Sequence, residues 1–395
     1  MENSTKRKAA YFAILLLGIV SLMGDVVYEG SRSIIPVYLG FLGTSAFFVV
    51  FIGPFGEFLG YALRLVSGAV SDKTRAYWLL IFLGYGLIVS LPLLGLTSLW
   101  QLAIVLVLLE RIGKALRSPP RDAVISMIGK EVGVGKAFGI HEFLDQVGAV
   151  LGPLIVAGLM FYSNNNYRFT FSFLVIPFMI LLAALTYTYS KIGGIKPSES
   201  SEAARRPMRL GKPFYFYVYA VMLNALIVVP YEFIAYRASM VLQPWELWVV
   251  PLIYLIIQLV DAPSALLSGY AFDRVRLRVL TLPFVLSMLL AVVAVLGSGF
   301  YLIIFAAILR GLILGMQESV YRAAVSDFAP ATFRGTAYGV FNTVYGVGLL
   351  LSGVLYGLIA AFPQPSLLVV LLAVVTQSLA LFLLVKAHKS GRLNK

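Results

Sequence analysis

The sequence predicts an all-α integral membrane protein: twelve transmembrane helices in two six-helix bundles related by a pseudo-twofold axis, with both termini cytoplasmic. Three observations lead there. The 395-residue chain is 60% hydrophobic and 12% charged, where a soluble domain carries roughly 25% charged residues. Apolar stretches able to cross a hydrocarbon core of ~30 Å recur along its whole length. The chain also repeats itself. Ser67-Gly68-x-x-x-Asp72-Lys73-x-Arg75 returns, shifted from 67 to 268, as Ser268-Gly269-x-x-x-Asp273-Arg274-x-Arg276. Gly135-Lys136-Ala137-Phe138-Gly139-Ile140 is answered by Gly335-Thr336-Ala337-Tyr338-Gly339-Val340, and Gly148 by Gly348.

The first half, 1–190, holds spans at approximately 11–37, 45–70, 76–96, 98–127, 136–162 and 167–190. The first follows Lys6, Arg7 and Lys8; it carries Asp25, Glu29 and Arg32 at i, i+4 and i+7, one face of a helix. Its apolar run is too long for a signal-peptide core and no small-residue cleavage site follows, so it reads as a retained span. The second carries Glu57 and Arg64. The fourth carries Glu110, Arg111, Lys114, Arg117, Arg121 and Asp122, and the fifth His141, Glu142 and Asp145. Residues 191–212 form the one long polar stretch, read as a cytoplasmic linker. The second half, 213–395, holds spans near 213–240, 246–271, 277–297, 300–327, 336–360 and 365–387. Its internal charges are Glu232 and Arg237, Asp261, and Arg310, Glu318 and Arg322.

Orientation follows from the bases. Lys73 and Arg75, the linker with Arg205, Arg206 and Arg209, then Arg274, Arg276 and Arg278, and the tail residues Lys386, Lys389, Arg392 and Lys395 all fall on one side. Arg168 is the clear exception on the other. Both termini are therefore expected in the cytoplasm. The net charge of +13 is accounted for by topology, and no nucleic-acid partner is expected.

Enzyme motifs fail on inspection. Gly129 to Gly135-Lys136 has five residues between its glycines and Ala137 where a phosphate loop needs Ser or Thr. Gly133-x-Gly135 reaches Gly139 one residue too late for a dinucleotide fingerprint. There is no cysteine, so disulfides and thiolate metal sites are excluded. The histidines are His141 and His388; a single histidine makes no metal site, although His141 could join neighbouring carboxylates in one. The expectation is no enzyme, no cofactor and no bound metal.

A charge at the centre of a spanning helix costs ~2.5–3.5 kcal/mol on the insertion scale. So many survive only where they pair or meet water, which points to a hydrated central cavity. Asp72, Lys73 and Arg75 read as a charge relay at a helix end. Lys114, Arg117 and Arg121, at i, i+3 and i+7, form a basic stripe on the fourth span. Gly148-x-x-x-Gly152 is a small-residue face that lets two helices approach closely, and Pro153 removes a backbone hydrogen bond beside it. His141 and Asp145 lie at i and i+4 with Glu142 between them. In the second half their counterparts are Phe341, Asn342 and Tyr345, so the charged cluster belongs to the first half alone.

Gly68-x-x-x-Asp72-Lys73-x-Arg75 resembles the loop 2–3 signature of the major facilitator superfamily, departing from it where Arg75-Ala76-Tyr77-Trp78 replaces the closing glycine and bases. Arg111 with Gly113 resembles the fourth-helix motif, and Gly148-x-x-x-Gly152-Pro153 the fifth-helix motif associated with antiporters. The runs Asp25-x-x-Tyr28-Glu29-Gly30-x-Arg32-Ser33, Glu110-Arg111-x-Gly113-Lys114 and Phe138-Gly139-x-His141-Glu142-x-x-Asp145 are similar to a prokaryotic branch whose members are mostly named only as transporters.

The resemblance implies a secondary active transporter in the cell's inner membrane, working by alternating access. Substrate-binding residues are expected to be Asp25, Tyr28, Glu29, Arg32 and Glu57, with Tyr231, Glu232, Arg237, Gln258 and Asp261 from the second half. Arg111, His141, Glu142 and Asp145 are expected to couple protons. Gating is expected of Gly68, Asp72, Lys73, Arg75, Arg117, Arg121, Asp273, Arg274, Gly148, Gly152 and Pro153. The preferred expectation is proton-coupled export of an amphipathic or cationic compound. The alternative is a small organic or inorganic anion gripped by Arg32 and Arg237, whose planar forks suit carboxylate and phosphate. A non-transporting receptor is disfavoured, because charges within full-length repeats would serve no purpose there. The expected partners are the small-molecule substrate, protons and the bilayer, with the chain acting as a monomer.

Overall fold

The structure, a computed structural model, describes residues 2–194, 210–329, 334–362 and 366–392. Most of the expected linker, with Arg205, Arg206 and Arg209, lies outside the described residues, as does Lys395. Among the described residues every regular element is helical. Ten helical stretches are long and apolar enough to cross a membrane.

In chain order, α1 is Glu2–Phe41, α2 Ala46–Thr74, α3 Tyr77–Gly86, α4 Trp100–Gly129 and α5 Val134–Tyr162. Then come α6 (Tyr167–Phe173), α7 (Val175–Ile192), α8 (Lys212–Ile227), α9 (Tyr231–Val241) and α10 (Val250–Val275). The chain closes with α11 (Thr281–Leu296), α12 (Phe300–Met316), α13 (Arg322–Phe328), α14 (Arg334–Ala361) and α15 (Ser366–Arg392).

Two differences separate ten apolar stretches from the twelve spans expected. The charges of α4 remove it from the apolar set, although its 30 residues are long enough to cross. The stretch Pro244–Leu296 runs unbroken for 53 residues because a 3-10 turn, Arg276–Leu280, joins α10 to α11 where a loop was expected.

Several expected single spans are interrupted. Span 76–96 leaves α-helical geometry after Gly86 and finishes in two 3-10 turns, Leu87–Ser90 and Pro92–Leu96; Pro92 has no N–H to continue the α ladder. Span 213–240 breaks at Val228-Val229-Pro230, with Val228 in extended conformation. Proline disfavours helical geometry in the residue before it, so α9 restarts at Tyr231 and places Glu232 in its first turn, where the helix dipole favours a carboxylate. Span 300–327 contains a π-helical turn, Gln317–Tyr321.

By packing, the chain divides into two units, Met1–Leu42 with Leu59–Ser201, and Gly43–Phe58 with Glu202–Lys395. The start of α2 thus belongs to the second unit. There a Cβ at Gly353 would lie 2.7 Å from Pro54 Cβ, and one at Gly53 would collide with the Glu232 carboxylate.

The sequence repeat recurs inside each unit as packing. A Cβ on Gly148 would lie 2.5 Å from Leu22 O in the first unit, and one on Gly348 2.6 Å from Met222 O in the second. Both glycines and both carbonyls are 200 positions apart. The same holds at the loop motif, where Arg75 (φ 56) and Arg276 (φ 53) share left-handed backbone, a conformation few non-glycine residues adopt.

Candidate functional site: an ion network on α1, α4 and α5

In the first unit α1 packs against both α5 and α4. Close approach of α1 and α5 requires glycine: a Cβ on Gly152 would come within 2.7 Å of Gly30 N and 2.8 Å of Val26 O. With the backbones this near, side chains beside the seam reach across it.

The basic stripe of α4 divides among three environments. At the first, Tyr28 is buried and its hydroxyl accepts hydrogen bonds from Arg111 and, at 3.1 Å, from Arg32 Nη1. The Arg111 guanidinium also lies over the Tyr28 ring at 5.0 Å, and Lys114 Nζ at 4.0 Å. One phenol therefore gathers three cations through its oxygen and its π-face.

At the second, Arg117 is buried and pairs with Glu110 Oε1 at 3.3 Å, donates to Gly84 O at 3.3 Å, and stacks on Tyr85 at 5.1 Å. Glu110, 1% exposed, also lies 3.9 Å from Arg111. A carboxylate that deep requires its partners, so Glu110 ties the first environment to the second. Arg117, expected at a gate, is buried inside the unit.

At the third, Arg121 donates to Asp122 Oδ1 from Nε (3.0 Å) and Nη2 (2.9 Å), and to Ser21 Oγ at 3.1 Å. Its Nη1 lies 3.8 Å from Asp145 Oδ2 on α5, and His141 Nδ1 lies 3.8 Å from the same oxygen. Ser21 in turn shares a hydrogen bond with Tyr85 Oη at 3.3 Å. His141 is buried, Asp145 half-buried and Glu142 exposed, yet all three place a ligand atom within 4.8 Å of one another. Asp25 lies beside this group: a Cβ on Gly148 would be 3.0 Å from Asp25 Cβ.

In the second unit Glu232, Gln258 and Asp261 are buried, and Glu57 is half-buried. Tyr231 packs its ring 4.5 Å from that of Tyr254. Arg237 donates to the carbonyl of Gly297, which occupies one arm of the fork expected to grip an anion. Asp72 accepts a hydrogen bond from Tyr77 Oη at 3.4 Å; Lys73, Arg75, Asp273 and Arg274 are exposed. Arg276 pairs with Asp327 at 3.6 Å. Pro153 and Gly68 lie within their helices.

Sequence reasoning left Glu110, Lys114, Asp122, Ser21 and Tyr85 out of the candidate site. Glu110, Lys114 and Asp122 were visible as span charges, and Ser21 stands one helical turn before Asp25, a spacing that could have revealed it. Outside this site, Asn224 donates to Ser287 Oγ (3.0 Å) and accepts from Tyr321 Oη (2.6 Å) in the buried interior of the second unit. Neutral polar groups carry no charge signal.

Comparison with known proteins fits this geometry. The family profile described as the Major Facilitator Superfamily matches residues 58–353 and 249–394. An uncharacterised protein of Mycobacterium tuberculosis (strain H37Rv) is 31% identical over 393 residues, covering 96% of this chain and 94% of its own. An uncharacterised MFS-type transporter of Methanocaldococcus jannaschii is 28% identical over 360 residues, 87% of each chain. Among solved structures, a variant of a peptide transporter POT in complex with sulfate superposes with a TM-score of 0.75 at 15% identity, covering 96% of this chain and 95% of its own. A variant of the nucleoside transporter NupG gives 0.74 at 14%, covering 95% and 99%. At such identities these two report the fold. The chain is a multi-pass membrane protein with a transporter fold, not an enzyme, and it belongs to the Major Facilitator Superfamily.

Proposed function

We propose that the chain is a secondary active transporter that moves a small cationic or amphipathic compound out of the cell by alternating access, coupled to protons. The observation that carries this reading is the Arg121–Asp145–His141 contact between α4 and α5. One carboxylate on α5 meets an arginine of α4 and a histidine one helical turn away on its own helix. Movement of α5 against α4 would make or break the Arg121 contact, and in this reading a proton is taken up or released as it does. The close Gly152–Gly30 seam gives α5 a defined surface to move along.

In this reading 1–190 and 213–395 act as the two moving bundles, twelve spans in all, and the protein works as a monomer in the cytoplasmic membrane. The buried acids Glu232 and Asp261 supply negative charge for a cationic cargo. A second reading has support of its own: the three cations around Tyr28 would suit an anion. Against it, Arg32 and Arg111 already donate to the Tyr28 hydroxyl, and Arg237 to Gly297 O.

The test begins with a thermal-shift screen of cations, anions and drugs on the purified protein, since a ligand of the native state raises apparent stability. Each hit is then assayed in proteoliposomes carrying a pH-sensitive dye. Coupled proton movement with a cationic hit supports the proposal; transport of an anion, or transport with no proton movement, refutes it.

A further inference from the structure

We infer that the α5 cluster binds a divalent first-row transition-metal cation, and that this cation is the cargo. The inference rests on the transport reading above and narrows its cationic substrate to one chemical class.

The ligand set comes first. His141, Glu142 and Asp145 occupy adjacent positions on one turn and the next of α5, each with a ligand atom within 4.8 Å of the others. Bonds of ~2.0–2.2 Å to one ion allow ligand atoms up to ~4.4 Å apart, so closing the cluster needs a shift of about half an ångström, within the reach of rotating side chains. Imidazole with two carboxylates suits Mn2+, Fe2+, Co2+ or Zn2+; the nitrogen disfavours Mg2+ and Ca2+, which take oxygen.

Independent of the cluster itself, two of its buried atoms have hydrogen-bonding capacity unused. His141 is 2% exposed, and its Nε2 has no hydrogen-bond partner; nor does Asp145 Oδ1. Buried polar atoms are nearly always satisfied. His141 Nδ1 faces Asp145 Oδ2 at 3.8 Å, so Nε2 lies on the far edge of the ring, and Asp145 Oδ1 is the orphan that an ion held between the two residues would satisfy.

Position and charge agree. Asp145 lies three residues before the middle of α5, roughly 4–5 Å along its axis, so the cluster sits on the central part of a helix long enough to cross a membrane. Asp25 adds a further acid close enough to Asp145 to interact electrostatically, with Glu29, Lys114 and Arg117 also within electrostatic reach. The opposing base nearest the cluster is Arg121, and its charge is already met by two hydrogen bonds to Asp122 and one to Ser21. Arg121 can therefore release Asp145 to an incoming dication without losing its own partners.

The test uses the full chain in nanodiscs, with Co2+ as the probe and no gradient. The expected result is one equivalent of Co2+ giving the visible bands of a nitrogen- and oxygen-ligated ion, with a rise in Tm that Mg2+ and Ca2+ do not reproduce. His141→Ala and Asp145→Asn should each weaken binding at least tenfold while the metal-free Tm shows them folded. Absence of stoichiometric Co2+ on the wild-type protein overturns the inference, as does equal binding by both variants. The wild-type spectrum decides the matter even if a variant fails to fold. Failure here leaves proton coupling to be judged with other hits of the screen. Co2+ binding without proton movement during Co2+ transport would instead keep the metal site and remove the coupling.

Discussion

Arg121 Nη1 stands 3.8 Å from Asp145 Oδ2, joining α4 to α5, while the same guanidinium holds Asp122 at 2.9 Å. Both side chains are under one-fifth exposed, so the pair is partly shielded from water. The two residues should be energetically coupled. A thermal-stability double-mutant cycle with Arg121→Gln and Asp145→Asn should give an interaction of about 0.5–3 kcal/mol. Strict additivity would mean that the contact contributes nothing and that Asp122 alone satisfies the arginine.

Tyr28→Phe tests the cation cluster. It keeps the ring under Lys114 and Arg111 but deletes the oxygen that accepts from Arg32 and Arg111. The expected cost is about 1–3 kcal/mol, that of leaving buried donors unmet, read as a lower Tm in detergent. A Tm equal to wild type would show that water takes the oxygen's place.

The glycines of α5 and α14 make opposite predictions depending on their surroundings. Gly148→Ala and Gly348→Ala each drive a Cβ to about 2.5–2.6 Å from a carbonyl oxygen, and should each lose roughly 1–3 kcal/mol from overpacking. Gly139→Ala, on the same helix as Gly148 but with nothing within 4 Å, should gain about 0.5–1 kcal/mol. Thermal melts of the three variants check this. Loss at Gly139, or tolerance at both matched positions, would contradict the packing described.

The repeat was legible because glycine seams need the same residue at the same spacing in both halves. Gly148 over Leu22 and Gly348 over Met222 turn a 200-residue echo into geometry. The span charges were legible too, since each stands out against an apolar background. Their pairing was not. Lys114, Arg117 and Arg121 share a stripe by spacing, yet they reach Tyr28, Glu110 and Asp145 respectively. Which acid a long flexible base reaches depends on neighbouring helices, and no local pattern encodes that. The break before α9 had a signal in Pro230 that a purely apolar count overlooks; the π turn at Gln317–Tyr321 had none.

Topology is directly testable because the chain has no cysteine. Single substitutions at the exposed positions Lys73, Arg274 and Asn164 need no background removal. Lys73→Cys and Arg274→Cys should label only from the cytoplasmic side with an impermeant maleimide, and Asn164→Cys only from outside. Labelling of Lys73→Cys and Asn164→Cys from the same side would mean that α3, α4 and α5 do not all cross the membrane.

The central claim is that a proton moves on Asp145 as cargo crosses the membrane. The most direct measurement is cargo-driven pH change inside proteoliposomes, comparing wild type with Asp145→Asn at equal protein content and with ligand binding recorded in parallel. The account predicts that, at cargo concentrations that saturate the variant, the pH change falls at least tenfold, because its amide cannot give up a proton. A pH change of wild-type size in Asp145→Asn would contradict it.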